Sequence, residues 1–179
     1  MTPHLIVALA ALLPMSLMTL GCTTSPVRKV EEDGNYCFKS SNHRFVCTTR
    51  PIPGAAAAKG ALTFSPRSEA ITLYVIRSDR PDAFGRVPLG IDGQESLDTI
   101  PRSFARIELT PGPHSLSAFG RGSSATFALD GQGGSLRFLR LRGNTSVFPP
   151  DSYRFEEVDV REGQRLVLDQ TFVSEVRLR

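Results

Sequence analysis

The stretch Ile107-Glu108-Leu109-Thr110-Pro111-Gly112-Pro113-His114-Ser115-Leu116-Ser117-Ala118-Phe119 restricts this chain more than any other. Apolar and polar side chains alternate up to a Pro-Gly-Pro corner and alternate again after it. Before the corner, Ala105, Ile107 and Leu109 share one face and Arg106 and Glu108 the other. After it, His114, Leu116 and Ala118 share a face. Pro111 presets the first φ of a turn and Gly112 can take positive φ in the second position. Pro113 has no N–H to give a ladder, so it belongs at the margin of a paired region. Two alternating runs around a tight turn predict a hairpin with one buried face.

The same grammar extends along the chain. Ile71 to Arg77 is apolar on both faces, as in a central strand or one whose outer face the N-terminal segment covers. Val87, Leu89 and Ile91 alternate into Asp92-Gly93, a strong signal for a two-residue hairpin turn. A return strand follows around Leu97. Ser124 to Leu129 places Ala125, Phe127 and Leu129 on one face. From Leu136 to Arg142 the pattern changes phase: Leu136 and Phe138 share one face, Leu139 and Leu141 the other. Either both faces are covered or a bulge sits near Phe138. Tyr153 to Val160 predicts a further strand, Glu162 to Asp169 a short helix and Phe172 to Leu178 a last strand. Many short strands at regular spacing define an all-β, mainly antiparallel β-sandwich over residues 61–179.

The N-terminus carries an address. Leu5 to Leu20 is apolar apart from Pro14, Ser16 and Thr19. It suits a signal-peptide core better than a membrane span. Thr19-Leu20-Gly21-Cys22 then resembles the bacterial lipoprotein lipobox, with Gly21 and Cys22 on the pattern and Thr19 and Leu20 departing from its commonest residues. The resemblance implies that residues 1–21 are removed and that Cys22 carries diacylglycerol on its thiol and an acyl chain, such as palmitate, on its new amine. Thr23 in the following position implies sorting to the outer membrane, facing the periplasm. An ordinary secretory signal that leaves Cys22 a free thiol is the alternative. Residues 22–35 are polar, charged and without periodicity, which predicts a flexible tether.

Cys37 and Cys47 are then the remaining cysteines of an exported chain, and they predict a disulfide within residues 36–60. A hairpin centred on Asn42 sets Cys37 opposite Cys47 and Phe38 opposite Val46. A metal site built from both thiols and His43 matches no zinc-ligand spacing. Ala55 to Leu62 is compatible with a helical turn joining this clasp to the sandwich.

Three pieces carry a further resemblance: Leu73-Tyr74-Val75-Ile76-Arg77, Ile91-Asp92-Gly93, and Leu109-Thr110-Pro111-Gly112 followed by His114. Together they are similar to the strand and turn signatures of bacterial envelope lipoproteins with an uncharacterised β-sandwich domain, over roughly residues 59–168. The paired tyrosines usual in one later strand of that family are replaced around Phe138. The resemblance implies an envelope β-sandwich with no assigned reaction.

Few residues suggest chemistry. Gly120, Gly122 and Ala125 match a dinucleotide fingerprint in spacing, but a strand follows where a helix must open to hold phosphate. Asn144-Thr145-Ser146 is a loop sequence. His114 has no accompanying nucleophile motif, which favours a hydrogen-bonded structural role over a general base for an envelope hydrolase using nearby carboxylates. Glu156, Glu157 and Asp159 read as a solvated face rather than a metal site. Lys plus Arg total 21 against 18 Asp plus Glu, an excess too small to point to nucleic acid. Arg106, Arg137, Arg140 and Arg142 form a candidate binding patch if their strands are neighbours. The expected partners are the membrane, through the lipid anchor, and an envelope protein, or else an anionic envelope polymer. No cofactor, metal or catalytic residue is expected.

Overall fold

In the computed structural model, the described residues are 27–39, 45–78, 85–120, 124–143 and 152–178. Cys22, Asn42, His43 and the Asn144–Ser146 segment lie outside them. A small clasp precedes a β-sandwich that carries helices on one outer face.

The clasp is a three-stranded antiparallel sheet of β1 (Val27–Val30), β2 (Tyr36–Lys39) and β3 (Val46–Cys47), in that spatial order. Cys37 pairs with Cys47 and Phe38 with Val46 in the register expected, and the two cysteines are joined by a disulfide. The first strand corrects the expectation of an unstructured tether over 22–35. Val27 to Val30 pairs with the open edge of β2, Lys29 opposite Cys37. Four residues are too few to display a period, and an open strand edge offers backbone partners to whatever chain lies next to it.

Helix α1 (Ala55–Ala61) leads into the sandwich. Its larger sheet has the order β11-β10-β4-β7-β12, from β4 (Ile71–Arg77), β7 (Ser103–Leu109), β10 (Leu136–Gly143), β11 (Tyr153–Val158) and β12 (Thr171–Arg177). Its smaller sheet is β6-β5-β8-β9, from β5 (Val87–Ile91), β6 (Gln94–Thr99), β8 (Gly112–Phe119) and β9 (Ser124–Gly131). The alternating residues interlock between the sheets: Ile71, Leu73 and Val75 meet Leu89, Leu116 and Leu129. Most pairings are antiparallel. β10 runs parallel to β4, however, and β12 parallel to β7.

The Pro-Gly-Pro corner is therefore not a hairpin. β7 pairs with β4 and β12, whereas β8 pairs with β5 and β9, so the corner carries the chain from one sheet to the other. Alternation could not separate the two cases, because both strands bury one face in the same core whether or not they pair. Gly112 takes φ 120°, open to glycine and strained for other residues. Pro113 stands opposite Asp130 beyond the last residue that β5 pairs, which is Leu116, so its missing N–H interrupts nothing there.

β4 is buried along its whole length. Its outer face is covered by helices, not by the clasp. Tyr74 and Ile76 form a second core with Phe104, Phe138 and Phe172, closed by Ala61 of α1 and by Leu166 and Val167 of α2 (Val160–Leu168). The same cover explains the phase change in β10. Its register runs unbroken from Leu136 to Arg140 against β4, so no bulge is present and both faces are buried instead. α2 starts where Asp159 accepts the amide of Glu162 at 2.9 Å, an N-cap that answers orphan helix donors. It comes so close to the sheet that a Cβ on Gly163 would lie 2.2 Å from Cγ of Phe138.

The clasp sits beside β12. There the register shifts between Phe172 and Ser174, and the extra residue, Val173, packs with Ile100, Tyr36 and Phe38. A bulge frees one side chain from the pleat and re-aims it. The Tyr36 hydroxyl donates to the Arg102 carbonyl at 3.3 Å, and Arg28 donates to the Asp169 carbonyl at 3.0 Å.

Candidate functional site

The two turn signatures that stand apart in sequence meet in space. Asp92 and Gly93, at φ 52° and 81°, close the β5–β6 hairpin as expected of Asp-Gly. The Asp92 carboxylate reaches across to β8, where Oδ1 accepts the Ser115 amide at 2.9 Å and Oδ2 lies 2.7 Å from Nδ1 of His114. The other ring nitrogen, Nε2, lies 2.8 Å from the Thr110 carbonyl on the far side of the corner. A carbonyl can only accept, and an ionised carboxylate can only accept. Each ring nitrogen thus faces an acceptor, an arrangement that favours the imidazolium form of the ring.

Electrostatics agree with that assignment. Burial pulls the His114 pKa down, but the bonds to Asp92 and to the Thr110 carbonyl outweigh it and the net shift is upward. Asp92 is lowered, chiefly by the Ser115 amide and then by His114. With its side chain only 10 % exposed, His114 has both ring nitrogens engaged, one by Asp92 and one by the Thr110 carbonyl. It fastens the sheet-crossing corner to the hairpin turn.

The four arginines do not gather as their candidate patch requires. β4 lies between β10 and β7, so Arg106 is not beside the others. Along β10, Arg137 faces opposite to Arg140 and Arg142 by alternation. Carboxylates meet them: Arg106 bonds Glu175, which stands opposite it on β12, Arg137 bonds Glu157, and Arg142 bonds Glu156 at 3.1 Å. Arg140 stands opposite Glu156 in the ladder. Glu156 and Glu157 are thus ion-pair partners, not a purely solvated row, and Asp159 is the α2 cap. Burial raises Glu175, yet bonds from Arg106 and Arg177 win and hold it below the usual carboxylate range.

A cleft that the sequence did not disclose lies between clasp and sandwich, with a volume of about 370 Å³. Thr49 and Arg50 come from the clasp, Arg86, Ser96 and Asp98 from β5–β6 and its approach, and Ser174 from β12. Asp98 accepts the Thr49 hydroxyl at 3.0 Å and lies 3.7 Å from Arg86 Nε. β6 and β12 are each the terminal strand of their sheet, and they converge here. The lining is drawn from three segments joined only by the fold, so no local motif could have marked it.

Among the described residues no group of three or more His, Cys, Asp or Glu is placed to hold a metal ion, and no helix is long and apolar enough to cross a membrane. No protein-family model, curated protein or solved structure matches the chain.

Proposed function

We propose that this chain is an envelope lipoprotein, held in the outer membrane through Cys22 and facing the periplasm, whose sandwich is a non-catalytic binding module for another envelope protein. The lipobox-like Thr19–Cys22 run supports the address. The observation that carries the binding reading is the cleft under the clasp, where two sheet edges converge on a mainly polar hollow. Terminal strands present backbone donors and acceptors to an incoming extended segment, and side-chain pockets beside them supply selectivity. The ion-paired arginines favour a protein over an anionic polymer, since their charge is already met by Glu156, Glu157 and Glu175. The doubly bonded His114 favours binding over hydrolysis.

Ser174→Arg, which puts a long side chain on the β12 wall of the cleft, is the test. Cross-linking in intact envelopes should retain a protein with the wild-type chain at both low and high salt and lose it with the variant. Equal retention by both chains, or retention only of a polymer that high salt releases, overturns the reading. Mass spectrometry of the mature N-terminus checks the address: diacylglycerol and an acyl chain on Cys22 are expected, and an unmodified thiol refutes it.

A further inference from the structure

The clasp has two faces, and among the described residues only one packs on the sandwich. Tyr36, Phe38 and Val46 turn inward onto Ile100 and Val173. Directly paired residues of an antiparallel ladder share a face, so Val27 with Lys39 and Lys29 with Cys37 point the other way. Phe45 joins them: the Lys29 ammonium sits 4.7 Å from its ring centre and the Lys39 ammonium 5.4 Å. Val27 is 47 % and Phe45 41 % exposed, large values for apolar residues. The chain has only three lysines, Lys29, Lys39 and Lys59, and two of them stand on this one face.

Its position along the chain says what it meets. Thr23 to Pro26 are all that separate Cys22 from Val27. Five steps of extended backbone span at most about 17 Å, so an anchor at Cys22 keeps β1 within that distance of the bilayer. We infer that the outer face of the clasp, Val27, Lys29, Phe45 and Lys39, rests on the membrane that holds the anchor, with the lysines on anionic phospholipid headgroups and Phe45 at the headgroup boundary. The inference rests on the lipidation of Cys22. An aromatic ring flanked by ammonium groups suits that boundary, where one side is apolar and the other wet. Two lysines are too few to bring a free protein to a membrane. They suffice for one already tethered there, because the short tether makes docking an intramolecular event at high effective concentration. Glu31 lies 2.5 Å from Lys29, but both are exposed, and such a pair is weak enough to exchange for phosphate. Docked this way, the clasp is a foot, and its inward face carries the sandwich away from the surface.

The chain contains no tryptophan, so Phe45→Trp supplies a single reporter. The lipidated full-length protein is reconstituted in vesicles of phosphatidylcholine with phosphatidylglycerol, some carrying bromine near the headgroup, and Phe119→Trp on the sandwich is the control. Bromolipid should quench the tryptophan at 45 and spare that at 119. Lys29→Gln with Lys39→Gln should lower the docked-to-free ratio about 25-fold, at roughly fivefold for each lysine near an anionic surface, and so should pure phosphatidylcholine. Mass spectrometry of the same sample separates the two ways to fail. A Cys22 without lipid overturns this inference together with the reading it rests on. A lipidated Cys22 with an unquenched tryptophan at 45 overturns this inference alone. Shielding from aqueous iodide without bromolipid quenching would assign the face to a second copy of the chain, and that also overturns it.

Discussion

The clasp is a sheet with one side packed on the rest of the molecule, whereas the sheet around β4 is covered on both sides, and different forces hold the two. The layer over β4 is an aromatic stack: Tyr74 lies 5.0 Å from Phe138, and Phe104 5.0 Å from Phe172, ring centre to ring centre. Helices then seal it. The clasp contributes Tyr36 and Phe38 to a cluster of four and relies on a covalent bond for the rest. A small sheet cannot bury enough apolar surface to hold itself. The layer should thus fail by overpacking, and the clasp by loss of its crosslink.

The largest expected effect lies in the layer. Gly163→Ala drives a methyl into the root of the Phe138 side chain, which cannot swing away as the tip of a long chain could. Destabilisation of about 3 kcal/mol is expected, at the upper end for overpacking, read as a lower urea midpoint for the whole sandwich. A neutral result would mean that α2 rides loosely on the sheet.

Next comes the crosslink. Replacing Cys37 and Cys47 by serine should cost about 2–3 kcal/mol by the loop-entropy account of so short a loop. Amide exchange should show that loss confined to β1, β2 and β3, with β4 and β10 still protected. If the core strands open in parallel, clasp and sandwich are one cooperative unit and the contrast between them collapses.

Why some of this was legible and some not follows from the range of each signal. The disulfide register, the Asp92-Gly93 hairpin and the alternating core positions are set by neighbours within a dozen residues, and they stand as read. What Pro111-Gly112 joins was not legible, because the choice between pairing with β4 and pairing with β5 is made by residues far away in sequence. Tyr74 marked β4 as covered on both faces, though not that helices were the cover, and Phe138 left β10 open between two covered faces and a bulge, which the register against β4 decides. Asp159 and Glu162, at capping-box spacing, marked the start of α2 and could have placed it two residues earlier. The arginines were misread as a patch because Glu175, Glu157 and Glu156 reach them across strand ladders rather than along the chain.

The corner gives a smaller effect. At φ 120° a side chain on Gly112 is strained although it meets open space. Gly112→Val should therefore cost about 1–2 kcal/mol. Gly131, opposite it on β9, has no positive φ, but a Cβ there would sit 3.1 Å from Ile71 Cδ1 and Ser135 Oγ. Gly131→Ala should cost a few tenths, because both neighbours can give slightly. Equal denaturant midpoints for the two variants would remove the backbone argument for the corner.

The smallest effect, and the one closest to function, concerns His114. Its pKa is raised in the folded protein, so its contribution is complete below the unfolded value of about 6.5 and fades as pH climbs through the folded value. Asp92 is lowered, so its share holds above about 3.9 and is lost as pH falls through its folded value. The bond between them is then worth most from about pH 4 to 6.5. His114→Asn keeps a donor near Asp92 and removes the charge. Its midpoint should trail the wild type at pH 5.5, by about 1 kcal/mol or less because Asp92 is half exposed, and the gap should narrow steadily above pH 7. Urea titrations of both chains at pH 5.5, 7.5 and 9 measure it. A gap that ignores pH would mean that the folded ring is neutral. One nitrogen would then hold a lone pair, and the case against His114 as a proton acceptor, made from its two bonds to Asp92 and Thr110, would fail with it.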